Sequence, residues 1–104
     1  MERMEQDKGI IGFAWYKPEQ WARLRNVSQD ADQLETDFES WRRNAQDKML
    51  QLQVAGRHVE RVEIDVEALI AWCAKTNKKI NAQSRAGFAA HLLRERHEPP
   101  NQAL

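Results

Sequence analysis

Metal or nucleophilic chemistry in this chain would have to be built from three histidines, His58, His91 and His97, and one cysteine, Cys73. His91 and His97 stand six residues apart. On a helix that is about 600° of rotation, which leaves them on different faces. No H-E-x-x-H spacing and no cysteine pair accompanies them, so no zinc-type ligand set is read. Cys73 falls on the apolar stripe of its own segment and reads as an inert core thiol rather than a nucleophile. Being alone, it also excludes an intramolecular disulfide. The four glycines are isolated and form no phosphate-cradling loop, and Asp65 reads as a helix cap before it reads as an acid. The expectation is a protein that is not an enzyme and carries no metal and no cofactor.

Charge offers a second kind of chemistry. The chain has sixteen basic and sixteen acidic residues, so there is no whole-chain attraction to nucleic acid or an anionic membrane. Neutrality hides two opposite regions. Five acids and no base lie between Asp30 and Glu39, while six bases lie between Lys75 and Arg96 against the single acid Glu95. Lys75, Lys78, Lys79, Arg85 and Arg94 are the candidate phosphate contacts of a nucleic-acid-binding reading. No helix-turn-helix signature supports them, and a solvated face is the simpler account. Opposite regions on one small chain also suit association of copies.

The most apolar stretch is Ile10-Ile11-Gly12-Phe13-Ala14-Trp15-Tyr16, followed by Lys17-Pro18. β-branched and aromatic residues favour a strand, and Pro18 suits the first position of a following helix. Alternation puts Ile11, Phe13 and Trp15 on one face and Ile10, Gly12, Ala14 and Tyr16 on the other, and neither face is polar. Such a strand is covered on both sides, by helices or by another subunit. Of the four tryptophans, Trp21, Trp41 and Trp72 occupy helical core spacings, and Trp15 is the one expected at an interface.

These residues need elements to position them. Composition, 41% hydrophobic and 31% charged over 104 residues, fits one helix-rich domain with a modest core. Residues 1–9 read as a polar lead without the apolar region of a secretory signal, 10–97 as the domain, and 98–104 as a loose tail. No run approaches the roughly 20 apolar residues of a membrane helix, and cytoplasm is the expected setting.

After the first strand a helix runs from Pro18 to about Val27, and Asn26 to Asp32 connects it to the clearest helix in the chain. There Leu34, Phe38, Trp41, Ala45, Met49 and Leu52 recur at spacings of four and three. Thr36 with Glu39 forms its capping box, with Asp32 and Glu35 as an overlapping alternative, and Gly56 follows its end. His58–Ile64 reads as a second, half-exposed strand with Val62 and Ile64 on one face. Asp65 caps a helix from Val66 to about Thr76, and Asn81 caps a last one reaching about His97, stopped by Pro99 and Pro100. The fold class is therefore α+β, two strands and four helices in the order β-α-α-β-α-α, with a weak pseudo-twofold βαα repeat.

Gly12-Phe13-Ala14-Trp15-Tyr16, with Trp21, Trp41, Val62-x-Ile64-Asp65, Ala71-Trp72-Cys73 and Gly87-Phe88-Ala89, resembles the pattern of small bacterial proteins of unknown function and about this length. The resemblance implies no catalytic residues. Four helices with single apolar stripes most naturally make one layer on one face of the sheet. A second copy is then expected on the other face or along the free edge, a homodimer burying Ile11, Phe13, Trp15 and Tyr16. The functional expectation is an interaction or assembly module, and the alternative is a nucleic-acid-binding accessory protein using residues 75–96.

Overall fold

A computed structural model describes residues 9–97; the expected polar lead before Gly9, the loose tail and the Pro99–Pro100 stop lie outside the described residues. Strand β1 (Ile11–Trp15) is followed by a 3₁₀ turn (Pro18–Gln20) that opens with its proline and leads into helix α1 (Trp21–Val27). A second 3₁₀ turn (Ala31–Gln33) precedes helix α2 (Phe38–Val54). Strand β2 (Val59–Glu63) and helices α3 (Val66–Lys75) and α4 (Ala82–His97) complete the α+β order β-α-α-β-α-α.

The two strands pair in parallel, with Ile11 opposite Val59, Phe13 opposite Arg61 and Trp15 opposite Glu63. A parallel pair needs a long crossover, and the segment carrying α1 and α2 provides it. One face of the sheet holds Gly12, Ala14, Val62 and Ile64. Helix α4 lies on it, so close that a Cβ on Gly12 would come within 3.2 Å of the Ala89 carbonyl oxygen and 3.3 Å of the Leu93 and Val62 side chains. Below this contact Leu24, Leu69, Val66 and Cys73 are fully buried and, with Val62, Trp21 and Phe88, make one apolar core. Burial of Cys73, Val62 and Ile64 is as the sequence pattern predicts.

The single helical layer does not form. Helix α2 takes the other face, where its Trp41 packs on Trp15 at 4.9 Å between ring centroids and on Tyr16 at 5.4 Å. Ala45 and Met49 continue that stripe of α2 and are buried, as is Val59 on the same face of the sheet. The Arg61 guanidinium lies over the Trp15 ring, 3.9 Å from its centroid, and covers more of it. Trp15 is thus half-covered within the monomer.

Three local assignments are corrected. Helix α2 starts at Phe38, later than its apolar spacing suggested, because Asp37 is the cap: its carboxylate accepts from the Ser40 N–H at 3.0 Å and from the Ser40 hydroxyl at 2.9 Å. Neither the Thr36–Glu39 nor the Asp32–Glu35 box is the start, and Leu34 packs from extended chain just after the 3₁₀ turn. Asp65 occupies the cap position of α3 without a side-chain cap bond. Gln20 substitutes for it, accepting from the Val66 N–H at 3.1 Å while its amide donates to Asp65 at 3.1 Å. Asn81 does cap α4, accepting from the Ser84 N–H at 3.0 Å, and Gly56 has the positive φ of 90° that closes α2.

Candidate interaction site

In a parallel pair the N–H and C=O of one residue point to the same side, so alternate residues face the neighbouring strand. The Ile11 N–H donates to the His58 carbonyl at 2.9 Å, and the Trp15 carbonyl accepts from the Ile64 N–H at 2.9 Å. Ile11, Phe13 and Trp15 therefore spend their backbone groups on β2. Gly12 and Ala14 point theirs outward, and among the described residues these groups have no hydrogen-bond partner. The outer edge of β2 is different. Its sequence is Val-Glu-Arg-Val-Glu, three charged residues in five, and charge along a strand is a common way of discouraging edge pairing. The edge of β1 bears only Ile-Gly-Phe-Ala-Trp.

This edge forms the floor of a groove of about 370 Å³ between α2 and α4. Trp41, Asn44, Ala45 and Lys48 line it from α2, and Ala82, Arg85 and Ala86 from α4. Tyr16, Trp21, Leu34 and Glu35 line its remaining end. Trp21 holds that end in place by donating its indole N–H to the Glu35 carbonyl at 3.1 Å, and the Asn44 amide fixes the Glu35 carboxylate at 2.8 Å. Apolar and aromatic walls with a few polar groups at the rim are the usual makings of a recognition groove.

One buried ion pair braces the α4 wall. The Arg85 guanidinium donates to both oxygens of Asp30, at 2.8 and 2.9 Å, and to the Ser28 hydroxyl at 3.2 Å. Arg85 holds the Asp30 carboxyl below its ordinary range, chiefly through these hydrogen bonds. Next to this pair, burial pushes the Tyr16 phenol up to about 12, with the Arg85 charge lowering it and Asp30 raising it. The Tyr16 hydroxyl is buried with no hydrogen-bond partner among the described residues.

Of the interface residues expected from sequence, Ile11, Phe13 and Trp15 are half-buried along the strand, whereas Tyr16 is 4% exposed and belongs to the core. Of the expected phosphate contacts, Lys75, Lys78, Lys79 and Arg94 are exposed, but Arg85 is buried and already neutralised by Asp30. Lys78 and Lys79 meet beside Trp72 at a cavity of about 420 Å³. Arg94 is roughly 18 Å further along α4 at 1.5 Å per residue, so the basic residues do not converge.

Acids of the 30–39 run are used internally as well: Asp37 as a cap, Glu39 on Arg42, Asp30 on Arg85. Glu60 gathers His97 at 3.1 Å, Arg96 at 3.1 Å and His58 at 3.9 Å, a cluster that sequence spacing did not reveal. Among the described residues no group of three or more His, Cys, Asp or Glu could hold a metal ion, and no helix is long and apolar enough to cross a membrane. Comparison with protein-family models, with curated proteins and with solved structures finds no match to this chain.

Proposed function

We propose that the protein is a non-enzymatic interaction and assembly module that takes up a partner strand along the free edge of β1. The observation that carries this reading is the contrast between the two edges: β2 is flanked by exposed charge, and β1 offers uncharged, unpaired Gly12 and Ala14 in an apolar groove. Strand addition draws affinity from main-chain hydrogen bonds and specificity from the pockets beside them. Gly12 and Ala14 supply two donors and two acceptors, worth roughly 2–6 kcal/mol in all at about 0.5–1.5 kcal/mol each. Micromolar binding needs about 8 kcal/mol, so contact with Phe13 and Trp41 must supply the rest. A reducing, cytoplasmic setting belongs to the same proposal, since the one cysteine is free and buried.

The test is amide hydrogen exchange followed by NMR, with a panel of short strand-forming apolar peptides and across protein concentration. Exchange at Gly12 and Ala14 is expected to slow by at least tenfold with a bound strand. If these two amides exchange as fast as unprotected amides with every peptide and at every protein concentration, the reading is wrong. A second reading, nucleic-acid binding, is favoured by the cavity that Trp72 shares with Lys78 and Lys79. It requires binding to nonspecific RNA or DNA that weakens steeply as salt rises.

A further inference from the structure

We propose that the strand accepted by β1 is β1 of a second copy, running antiparallel about a twofold axis through Phe13. This rests on the strand-addition reading above and names its partner. The first argument is the spacing of the free groups. Gly12 and Ala14 stand one residue either side of Phe13, so a twofold there sets Gly12 opposite Ala14 of the second copy and Ala14 opposite its Gly12. Each such pair exchanges two hydrogen bonds in an antiparallel ladder, and all the outward groups of Gly12 and Ala14 are satisfied at once.

The second argument is closure. Joining two β1 edges gives a four-stranded sheet in the order β2-β1-β1-β2, and both outer edges are then the charged Val59–Glu63 strand. Growth stops at two copies, as a closed point group requires. It also turns a two-stranded sheet, marginal by itself, into one of ordinary width.

The third is fit along the walls. Helix α2 descends from Trp41, beside Trp15 and Tyr16, to Lys48, which lines the groove along with Gly12 and Phe13. The twofold rotation at Phe13 sets the two α2 helices antiparallel and turns Lys48 of each copy toward the groove that Glu35 of the other lines, basic toward acidic. On the opposite face the groove-lining residues of α4 include exposed Ala82 and Ala86, small enough for the two copies to close.

Three variants and one mass measurement test the proposal. Sedimentation equilibrium of the wild type should give twice the chain mass in the micromolar range. Ala14→Pro removes only an N–H that points away from β2 and fills the edge with the proline ring. It should leave a folded monomer by circular dichroism and cooperative urea unfolding. In Phe13→Cys the two new thiols sit across the axis with Cα atoms about 4.5 Å apart, inside disulfide range, and should form a covalent dimer under mild oxidation.

Ile11→Cys is the register control: its copies lie roughly 14 Å apart, four positions along the strand, and should not cross-link. Native Cys73 is buried and stays silent. A wild type that remains monomeric at high micromolar concentration, with no Phe13→Cys cross-link, overturns the second copy. Peptide-slowed exchange at Gly12 and Ala14 would then still uphold strand addition, and its absence would overturn both. A dimer that persists in Ala14→Pro, or that cross-links through Ile11→Cys and not Phe13→Cys, overturns the edge or the register. Should Ala14→Pro fail to fold, the wild-type mass decides together with the two cysteine variants, which are oxidised at high micromolar concentration to offset the lost Phe13 contact.

Discussion

Replacing Asp30 by alanine isolates the buried ion pair at the α4 wall. The Arg85 side chain is 10% exposed and Asp30 18%, and both carboxylate oxygens are taken. Removing one member of a buried pair typically costs about 3–5 kcal/mol, because the other charge stays desolvated. Ser28 still accepts one Arg85 hydrogen bond, and the exposed side of the site admits some water, so the lower end, about 3 kcal/mol, is expected. In a domain this size that lowers the melting temperature by roughly 12–24 °C.

Arg85→Met keeps the volume and leaves Asp30 on the wetter side, so about 1.5–3 kcal/mol is expected, the value of a charged hydrogen bond. The double variant should be more stable than Asp30→Ala alone, since no stranded cation remains. The pair also sets an acid limb. The folded-state carboxyl titrates below its ordinary 3.8, so its stabilisation is complete above that value and is lost as pH falls through the lowered one. Arg85→Met should flatten that decline. Urea unfolding of the four proteins at neutral and acid pH reads all of this. Asp30→Ala within 1 kcal/mol of wild type, or a double variant equal to the sum of the singles, would refute the reasoning.

Gly12→Ala gains the roughly 0.5–1 kcal/mol that glycine forfeits in a strand. Its Cβ, however, meets a helix backbone oxygen at 3.2 Å and two core side chains at 3.3 Å, and overpacking costs about 1–3 kcal/mol. Net destabilisation in urea is expected, and a stabilised variant would mean that α4 shifts freely. Trp41→Ala should cost about 2–3 kcal/mol, below the ~3–5 of a fully buried aromatic, because Trp41 is half-exposed at the groove; calorimetry checks it. Cys73, 1% exposed, should react with a thiol reagent at least a hundredfold faster in denaturant than in the native state.

The elements were legible in the sequence because each long segment repeats its apolar residues at one period. The stripe through Trp41, Ala45 and Met49 and the alternation ending in Val62 and Ile64 could be read directly. The starting point of α2 could not, since the acidic run contains three overlapping cap pairs and only tertiary packing selects Asp37 with Ser40. Partners distant in sequence were equally invisible: Gln20 caps α3, and Asp30 holds Arg85, which had looked like a free base in a basic run. Strand direction was open as well, and with it the side on which α2 would land. Apolar residues on both faces of β1 signalled double cover. They did not say that α2 provides the second cover, nor that the edge is what remains.

The close seat of Gly12 against Ala89 bears on how the chain folds as it is made. The first strand emerges from the ribosome long before the helix that covers it. At about 5–20 residues per second the interval between the two positions is roughly 4–15 s. Its other neighbours, Val59 to Glu63, arrive midway. For those seconds Ile11 to Tyr16 is an apolar, uncharged segment with no permanent partner, the kind of sequence that nascent-chain chaperones bind and that aggregates when they are scarce. Slowing translation over residues 64–97 should therefore reduce the soluble yield, while the same delay placed before Ile11 should leave it unchanged.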